Sequence, residues 1–309
     1  MGASLNGRLP ESECVVNVSE GRDRAVVSAV AAAGGDAVLD VHSDADHHRS
    51  VITLGGALPD VERAARAVVA TAVARIDLGG HDGAHPRLGA ADVVPVVPLA
   101  PGDAAWAAAV DTRDQLAVWI GDVLGVPCFL YGPERTLPEV RRAAFRGLSP
   151  DTGPRAPHPT AGATAVGVRR PLVAYNLWLE AAAPRVDDVL AVARELAASV
   201  RGPAVRALGL PVGSGAQVSC NLLETTGAAL LALHDAVAAG ASQHRCRLIR
   251  AELVGLAPAA ALEGIPRRRW AEVGVGEERT IERRWAVTSA GARPEGEPPS
   301  GPAPTPAGG

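Results

Sequence analysis

The chain has 309 residues, of which 47% are hydrophobic and only 3% aromatic, and its formal net charge is −4. That length suits two domains, and the scarcity of rings implies cores built from Ala, Val and Leu. The negative balance excludes a global attraction to nucleic acid. Since every one of the 30 Lys+Arg positions is Arg, any anionic ligand must be met by guanidinium groups placed locally.

Residues 14–18 form a short β-like run. The turn Ser19-Glu20-Gly21-Arg22 follows, with Ser19 as the expected helix cap. Residues 24–33 carry Ala and Val at helical spacing, and Gly34-Gly35 ends them. Two strands are expected at 37–41 and 50–54, the second broken by Gly55-Gly56. Residues 61–76 make a strong helix with Val68, Ala72 and Ile76 on one stripe. A strand at 93–99 completes a βαββαβ order, the split-βαβ unit. A helix at 104–124, a strand at 126–131 and a helix at 137–145 come next. Residues 147–162 are rich in Gly, Pro, Thr and Ala and read as a long loop between domains.

The second half repeats the order without repeating the sequence: a strand at 172–179, a helix at 186–200, strands at 205–208 and 217–222, a helix at 228–239 and a strand at 247–254. From residue 287 the chain is Pro-, Gly- and Ser-rich and reads as a disordered tail. The expected fold class is therefore α+β. Two βαββαβ-type (ferredoxin-like) sheet-and-helix subdomains are placed at 1–168 and 169–285, with a ligand groove between them and a tail at 286–309.

Cys14, Cys128, Cys220 and Cys246 lie far apart with no Cys-x-x-Cys pair, as expected of free buried thiols in a reducing compartment. Residues 1–13 lack the basic start and apolar stretch of a signal peptide. No apolar run reaches the ~20 residues of a membrane span. A cytoplasmic protein without a membrane partner is expected.

Five of the eight histidines fall in two tight clusters. His42, His47 and His48 lie in the Asp-rich stretch from Asp40 to Arg49, and His81 and His85 lie in His81-Asp82-Gly83-Ala84-His85-Pro86-Arg87. Structural histidines are usually solitary and packed, so clustering in polar loops points to chemistry. An imidazole is the side chain best suited to move protons near neutral pH. Pro86 restricts His85 to an extended backbone, and Arg87 can clamp a carboxylate in bidentate fashion. One loop thus offers a proton shuttle beside an anion clamp. The plainer reading of residues 40–49 is a polar hairpin-like connection. A metal site is not expected, because His81 and His85 share a glycine-containing loop rather than a helix face and no His-Glu-x-x-His occurs. Gly213-Ser214-Gly215 is not a nucleophile elbow. Pro154, Pro157 and Pro159 stiffen the loop 153–162 and display Arg155 and His158; its plainer reading is a linker.

These motifs converge on one family. The sequence resembles the formiminotransferases through Glu13-Cys14-Val15-Val16-Asn17-Val18-Ser19-Glu20-Gly21-Arg22, Leu39-Asp40-Val41-His42-Ser43-Asp44 and His48-Arg49-Ser50-Val51. The match continues through His81-Asp82-Gly83-Ala84-His85-Pro86-Arg87-Leu88-Gly89-Ala90, Leu130-Tyr131-Gly132, Gly162-Ala163-Thr164-Ala165-Val166-Gly167-Val168-Arg169 and Ala174-Tyr175-Asn176-Leu177. It ends with Gln217-Val218-Ser219-Cys220-Asn221-Leu222 and Glu252-Leu253-Val254-Gly255-Leu256. The resemblance implies a homodimeric transferase that moves a formimino group between N-formimino-L-glutamate and tetrahydrofolate, in histidine degradation and one-carbon metabolism. Tetrahydrofolate would be a co-substrate, and no metal would be needed. His85, directly before Pro-Arg, takes the family's catalytic place. The folate loop falls on Gly153, Pro154, Arg155, Ala156, Pro157, His158, Pro159, Thr160, Ala161 and Gly162, with Arg87, Asn17 and Asp40 as further binding residues. Ala84 stands where the family commonly has Glu, and Ala161 where it often has Trp. These departures motivate an alternative: a folate-dependent one-carbon transferase acting on another amine, or a non-catalytic folate-binding protein.

Overall fold

The computed structural model describes residues 9–83, 86–181, 189–213 and 215–290. Its first sheet grows from the expected βαββαβ unit: β1 (Ser12–Val18), α1 (Arg24–Ala32), β2 (Val38–Asp44), β3 (Arg49–Gly56), α2 (Leu58–Arg75) and β4 (Ala91–Pro98). The strand order β2-β3-β1-β4 is antiparallel throughout. Asp23, not Ser19, caps α1, its Oδ1 accepting from the amides of Ala25 and Val26 at 2.8 and 3.1 Å. Ser19 instead donates to the Gly89 carbonyl at 2.8 Å.

The helix α3 (Asp103–Leu124), the strand β5 (Cys128–Tyr131), the helix α4 (Leu137–Ala143) and the strand β6 (Thr164–Val168) extend this sheet. Here the structure corrects the expectation for 147–162. That stretch does not link domains; it leads into β6, which inserts in parallel between β4 and β5. The sequence reading missed β6 because the run Thr164-Ala165-Val166-Gly167-Val168 is only five residues long and its Ala and Gly dilute the strand signal of Thr and Val. Its two edges pair with strands distant in sequence, β4 on one side and β5 on the other, and all five of its residues are buried.

The second sheet follows the expected plan: β7 (Val173–Ala181), α5 (Val189–Val200), β8 (Val205–Val212), β9 (Gly215–Leu222), α6 (Gly227–Gln243) and β10 (Cys246–Leu253). Its order is β10-β7-β9-β8, again antiparallel. Two short helices follow, α7 (Trp270–Val273) and α8 (Ile281–Ser289). Residues 286–289, expected in the tail, are thus helical, and residues 291–309 lie outside the described part. No helix among the described residues is long and apolar enough to cross a membrane. All four cysteines are free and buried.

The period-2 alternation of strands decides what faces the site. In the first sheet Cys14, Val16, Val18, Ile52 and Leu54 pack with Val68, Val69 and Ala72 of α2. The alternate residues Glu13, Val15, Asn17, Asp40, His42, Asp44, Arg49, Val51 and Thr53 share the opposite face by register. Part of that face meets the second half. His42 Nε2 lies 3.6 Å from Glu252 Oε1, and Gly255 passes over Thr53 and Val51. Leu39 packs with Leu256 and Ile281, and Trp285 closes over them. In the second sheet Tyr175, Leu177, Leu179, Val218, Cys220 and Leu222 are buried in the core that includes residues of α5 and α6. Asn176, Trp178, Gln217, Ser219, Arg250 and Glu252 therefore lie on its other face.

Candidate functional site

Three turns meet at the Asn17 end of β1. The first, residues 19–23, folds around one carboxylate. Glu20 Oε1 accepts from the amides of Gly21, Arg22 and Asp23 at 2.9, 2.8 and 3.0 Å. Gly21 is needed there because a Cβ would stand 2.2 Å from the Asp44 carbonyl oxygen, well inside van der Waals contact. The second turn joins β2 to β3. Asp44 accepts from the His47 amide at 2.8 Å, and His48 sits at the left-handed φ of 49°. The third is the loop entered from His81.

His48 and His81, flagged separately in the sequence, stack with ring centroids 4.1 Å apart. His48 Nδ1 lies 3.3 Å from Glu20 Oε1. His81 Nε2 donates to the His48 carbonyl at 3.0 Å, and its Nδ1 accepts from the Gly83 amide at 3.3 Å. These bonds define a neutral tautomer. Burial lowers the pKa of both rings; the Arg87 charge lowers His81 further, while Glu20 opposes the shift at His48. The pair is thus a neutral platform at pH 7, with His81 bracing the loop. Arg22 reaches across to Asp82 at 2.6 Å and to the Ala45 carbonyl at 3.0 Å.

Ala84 and His85, the expected catalytic residue, lie outside the described residues. What flanks them is well tied. Arg87 donates to the carbonyls of Gly83 and, at 3.4 Å, His81. The Leu88 amide donates to Asp92 Oδ1 at 2.5 Å. Asp92, only 1% exposed, also receives Arg141 at 2.6 and 3.3 Å. Sequence reasoning missed this anchor, although its signal is present: Asp92 is the one acid in an otherwise apolar strand.

The 153–162 loop belongs to the same assembly. Leu78, just before the His81 loop, donates to the Thr160 carbonyl at 2.9 Å. After it, Ala90 donates to Ala161 at 2.9 Å, and Ala163 donates to Leu88 at 3.0 Å. Within the loop, His158 and Gly162 exchange backbone bonds, and His158 Nδ1 accepts from the Ala161 amide at 3.0 Å. Gly153, Pro154, Arg155, Ala156, Pro157, Pro159 and Thr160 are exposed, whereas Ala161 is buried in the core.

Of the remaining expected residues, Asn17 sits at the site, where its side-chain oxygen accepts from Arg49 and its amide donates to the Val15 carbonyl at 2.8 Å. Burial pushes the Arg49 pKa down to about 10, which leaves it charged at neutral pH. Asp40 is not brought to this cluster. It is held 3.4 Å from Arg284 and 3.7 Å from Arg279, at the seam between the two halves. Burial, reinforced by the charge of Arg279, lowers the pKa of His42 to about 4 in the same seam.

A distant group on the second half has metal-ligand atoms within 4.8 Å of one another: His234, Asp235 and Glu272. Arg269 bridges both carboxylates there at 2.7 Å each, so a guanidinium already supplies the positive charge.

The arrangement brings two histidine-bearing turns and the arginines Arg22, Arg49 and Arg87 to one end of the first sheet. Comparison with known proteins gives the family. A family profile described as formiminotransferase domain, N-terminal subdomain, matches residues 12–169. The chain is 37% identical over 276 residues to the glutamate formimidoyltransferase of Streptococcus pyogenes serotype M1, covering 81% of this chain and 90% of that protein. It is 31% identical over 300 residues to the glutamate formimidoyltransferase of Thermoplasma acidophilum, covering 88% and 96%. It is 32% identical over 275 residues to the formimidoyltransferase-cyclodeaminase of Gallus gallus, of which it spans 50%. The protein is a transferase. It belongs to the formiminotransferase family.

Proposed function

We propose that this protein transfers a formimino group between N-formimino-L-glutamate and tetrahydrofolate, with His85 as the acid-base group. One observation supports this above the rest. The His81–Arg87 loop and the 153–162 loop, to which the resemblance gives catalysis and folate contact, are joined by backbone hydrogen bonds on both sides of the histidine segment. Residues that act on one reaction must be held in one frame, within fractions of an ångström.

In the proposed reaction N5 of tetrahydrofolate attacks the amidine carbon. His85 takes the proton from the attacking nitrogen as the new C–N bond forms. It returns that proton to the glutamate nitrogen as the old C–N bond breaks. Asn17 eases charge on the tetrahedral adduct, and Arg87 and Arg155 hold carboxylates of the two substrates. The ligand groove is placed between the units 1–168 and 169–285. The protein works as a cytoplasmic homodimer in histidine degradation and one-carbon metabolism, with tetrahydrofolate as co-substrate.

The test is turnover of N-formimino-L-glutamate by the purified protein with and without tetrahydrofolate. His85→Ala is expected to lower kcat by about 10²–10⁴-fold, the usual worth of a positioned proton shuttle. Unchanged turnover removes His85 from the mechanism. Ala84 and Ala161, which depart from the family pattern, favour a second reading in which another amine is the donor. Transfer from a different formimino donor, with none from N-formimino-L-glutamate, would select it.

A further inference from the structure

Gln217 stands apart among the polar residues outside the loops. It lies in mid-β9, is fully buried at 0% exposure, and neither its Oε1 nor its Nε2 has a hydrogen-bond partner. A buried amide with an unmet donor and an unmet acceptor costs about 1–3 kcal/mol for each group. Leu or Met would fill the same space without that cost, so the amide needs an explanation of its own.

Its position supplies one. Register places Gln217 opposite Trp178 of β7, which is opposite Arg250 of β10. This row lies on the face turned away from the buried cluster of Tyr175, Leu177 and Val218. The next row on that face is Ser219, Asn176 and Glu252, and Glu252 is the residue that reaches His42 of the first sheet. Two strands and one row separate Gln217 from Glu252, about 12 Å at the usual strand spacing and rise. The amide therefore sits on the face through which the second half meets the first, a short way in from the seam. Trp178 beside it offers an aromatic surface, on which Arg250 stacks at 4.4 Å.

We infer that Gln217 is a substrate-recognising residue, whose side-chain amide pairs with an adjacent donor and acceptor on the flat heterocycle of the folate co-substrate. The inference rests on the proposed folate-dependent reaction and adds a named contact from the second half. The neutral amide argues for that ligand. A carboxylate of the amino-acid substrate calls for a guanidinium, whereas a lactam or aminopyrimidine edge presents one N–H beside one lone pair, the complement of a primary amide. Bound substrate would satisfy both orphan atoms. A site built to hydrogen-bond its ligand also rejects analogues that lack the matching groups.

The experiment compares the wild-type protein with Gln217→Leu and Gln217→Asn, using steady-state kinetics, thermal unfolding and calorimetric titration with tetrahydrofolate. Gln217→Leu is expected to raise KM for tetrahydrofolate tenfold or more. It should leave KM for N-formimino-L-glutamate and kcat within about threefold and Tm unchanged or higher. Gln217→Asn, which keeps the amide but shortens its reach, should fall between. An unchanged folate KM with a raised Tm, or a rise only in KM for N-formimino-L-glutamate, overturns the inference. If Gln217→Leu fails to fold, an unchanged folate affinity in Gln217→Asn also overturns it. Should the wild type show no turnover, the proposed reaction fails. The titration then decides on Gln217 separately: weaker tetrahydrofolate binding by the variants sustains the inference, while equal binding or none by the wild type ends it.

Discussion

The anchor at Asp92 allows a prediction that ties stability to activity. Asp92→Ala removes the acceptor of the Leu88 amide and of two bonds from Arg141, at a site 1% exposed. Breaking a buried ion pair by deleting one partner costs ~3–5 kcal/mol. Here Arg141 keeps 22% side-chain exposure and recovers some hydration, so a loss of about 2–4 kcal/mol is expected. Asp92→Asn preserves an acceptor for Leu88 but not the charge, and should lose about half as much. Combining Asp92→Ala with Arg141→Met should cost less than the two single changes summed, by about 1–3 kcal/mol, because the partners are in contact. Urea unfolding at pH 7 measures each loss. Because Leu88 lies three residues after His85, releasing its amide should also lower kcat/KM at a temperature where the variant is still folded. A loss below about 1 kcal/mol would refute the energetic reasoning. A full loss of stability with unchanged kcat/KM would refute the claim that this bond positions the loop.

Other outcomes follow from the same geometry. Gly83→Ala puts a Cβ 2.3 Å from the His47 carbonyl oxygen and 2.7 Å from His48 Cβ. The loop must then lift from the histidine pair, and a loss of ~1–3 kcal/mol with a marked fall in kcat/KM is expected; wild-type-like kinetics would show that the contact is dispensable. Glu13 is buried in β1, and burial, opposed by Arg169 and aided by Glu282, pushes its carboxyl up to about 7. Its folded value exceeds its ordinary 4.5, so the folded state binds the proton more tightly. Its contribution is complete below 4.5 and is lost as pH rises through about 7, in all roughly 3 kcal/mol. The stability difference between wild type and Glu13→Gln should therefore move against the wild type from pH 4.5 to 8; a pH-independent difference would contradict this. His42 acts with the opposite sign, since its value is lowered to about 4: its contribution is present above 6.5 and lost as pH falls toward 4. His42→Gln should be less sensitive to acid than the wild type between those values, as read by unfolding midpoints.

Much of this protein was legible in one dimension, because periodicity reports burial on a single face. The short β-like runs at 14–18 and 50–54, the stripe of Val68, Ala72 and Ile76, and the repeated βαββαβ order sufficed for the α+β class and for every strand of the two sheets but β6. The histidine clusters in polar, Gly-rich loops singled out two turns, and the structure stacks His48 of one against His81 of the other. Pairing across the chain was not legible. β6 became a strand only because β4 and β5 offer it partners from opposite sides. The 153–162 loop is tied to the segments that flank the His81–Arg87 loop only because its carbonyls meet amides of residues 78 and 90. Asp40 looked like its neighbours in the motif, yet strand direction carries it away from the turns and against Arg279 and Arg284. His48 and His81 are 33 residues apart in the chain and 4.1 Å apart in space. Local composition therefore determined which segments could fold and which could do chemistry. Long-range hydrogen bonding and burial, which depend on residues far away in the chain, decided which of those segments meet.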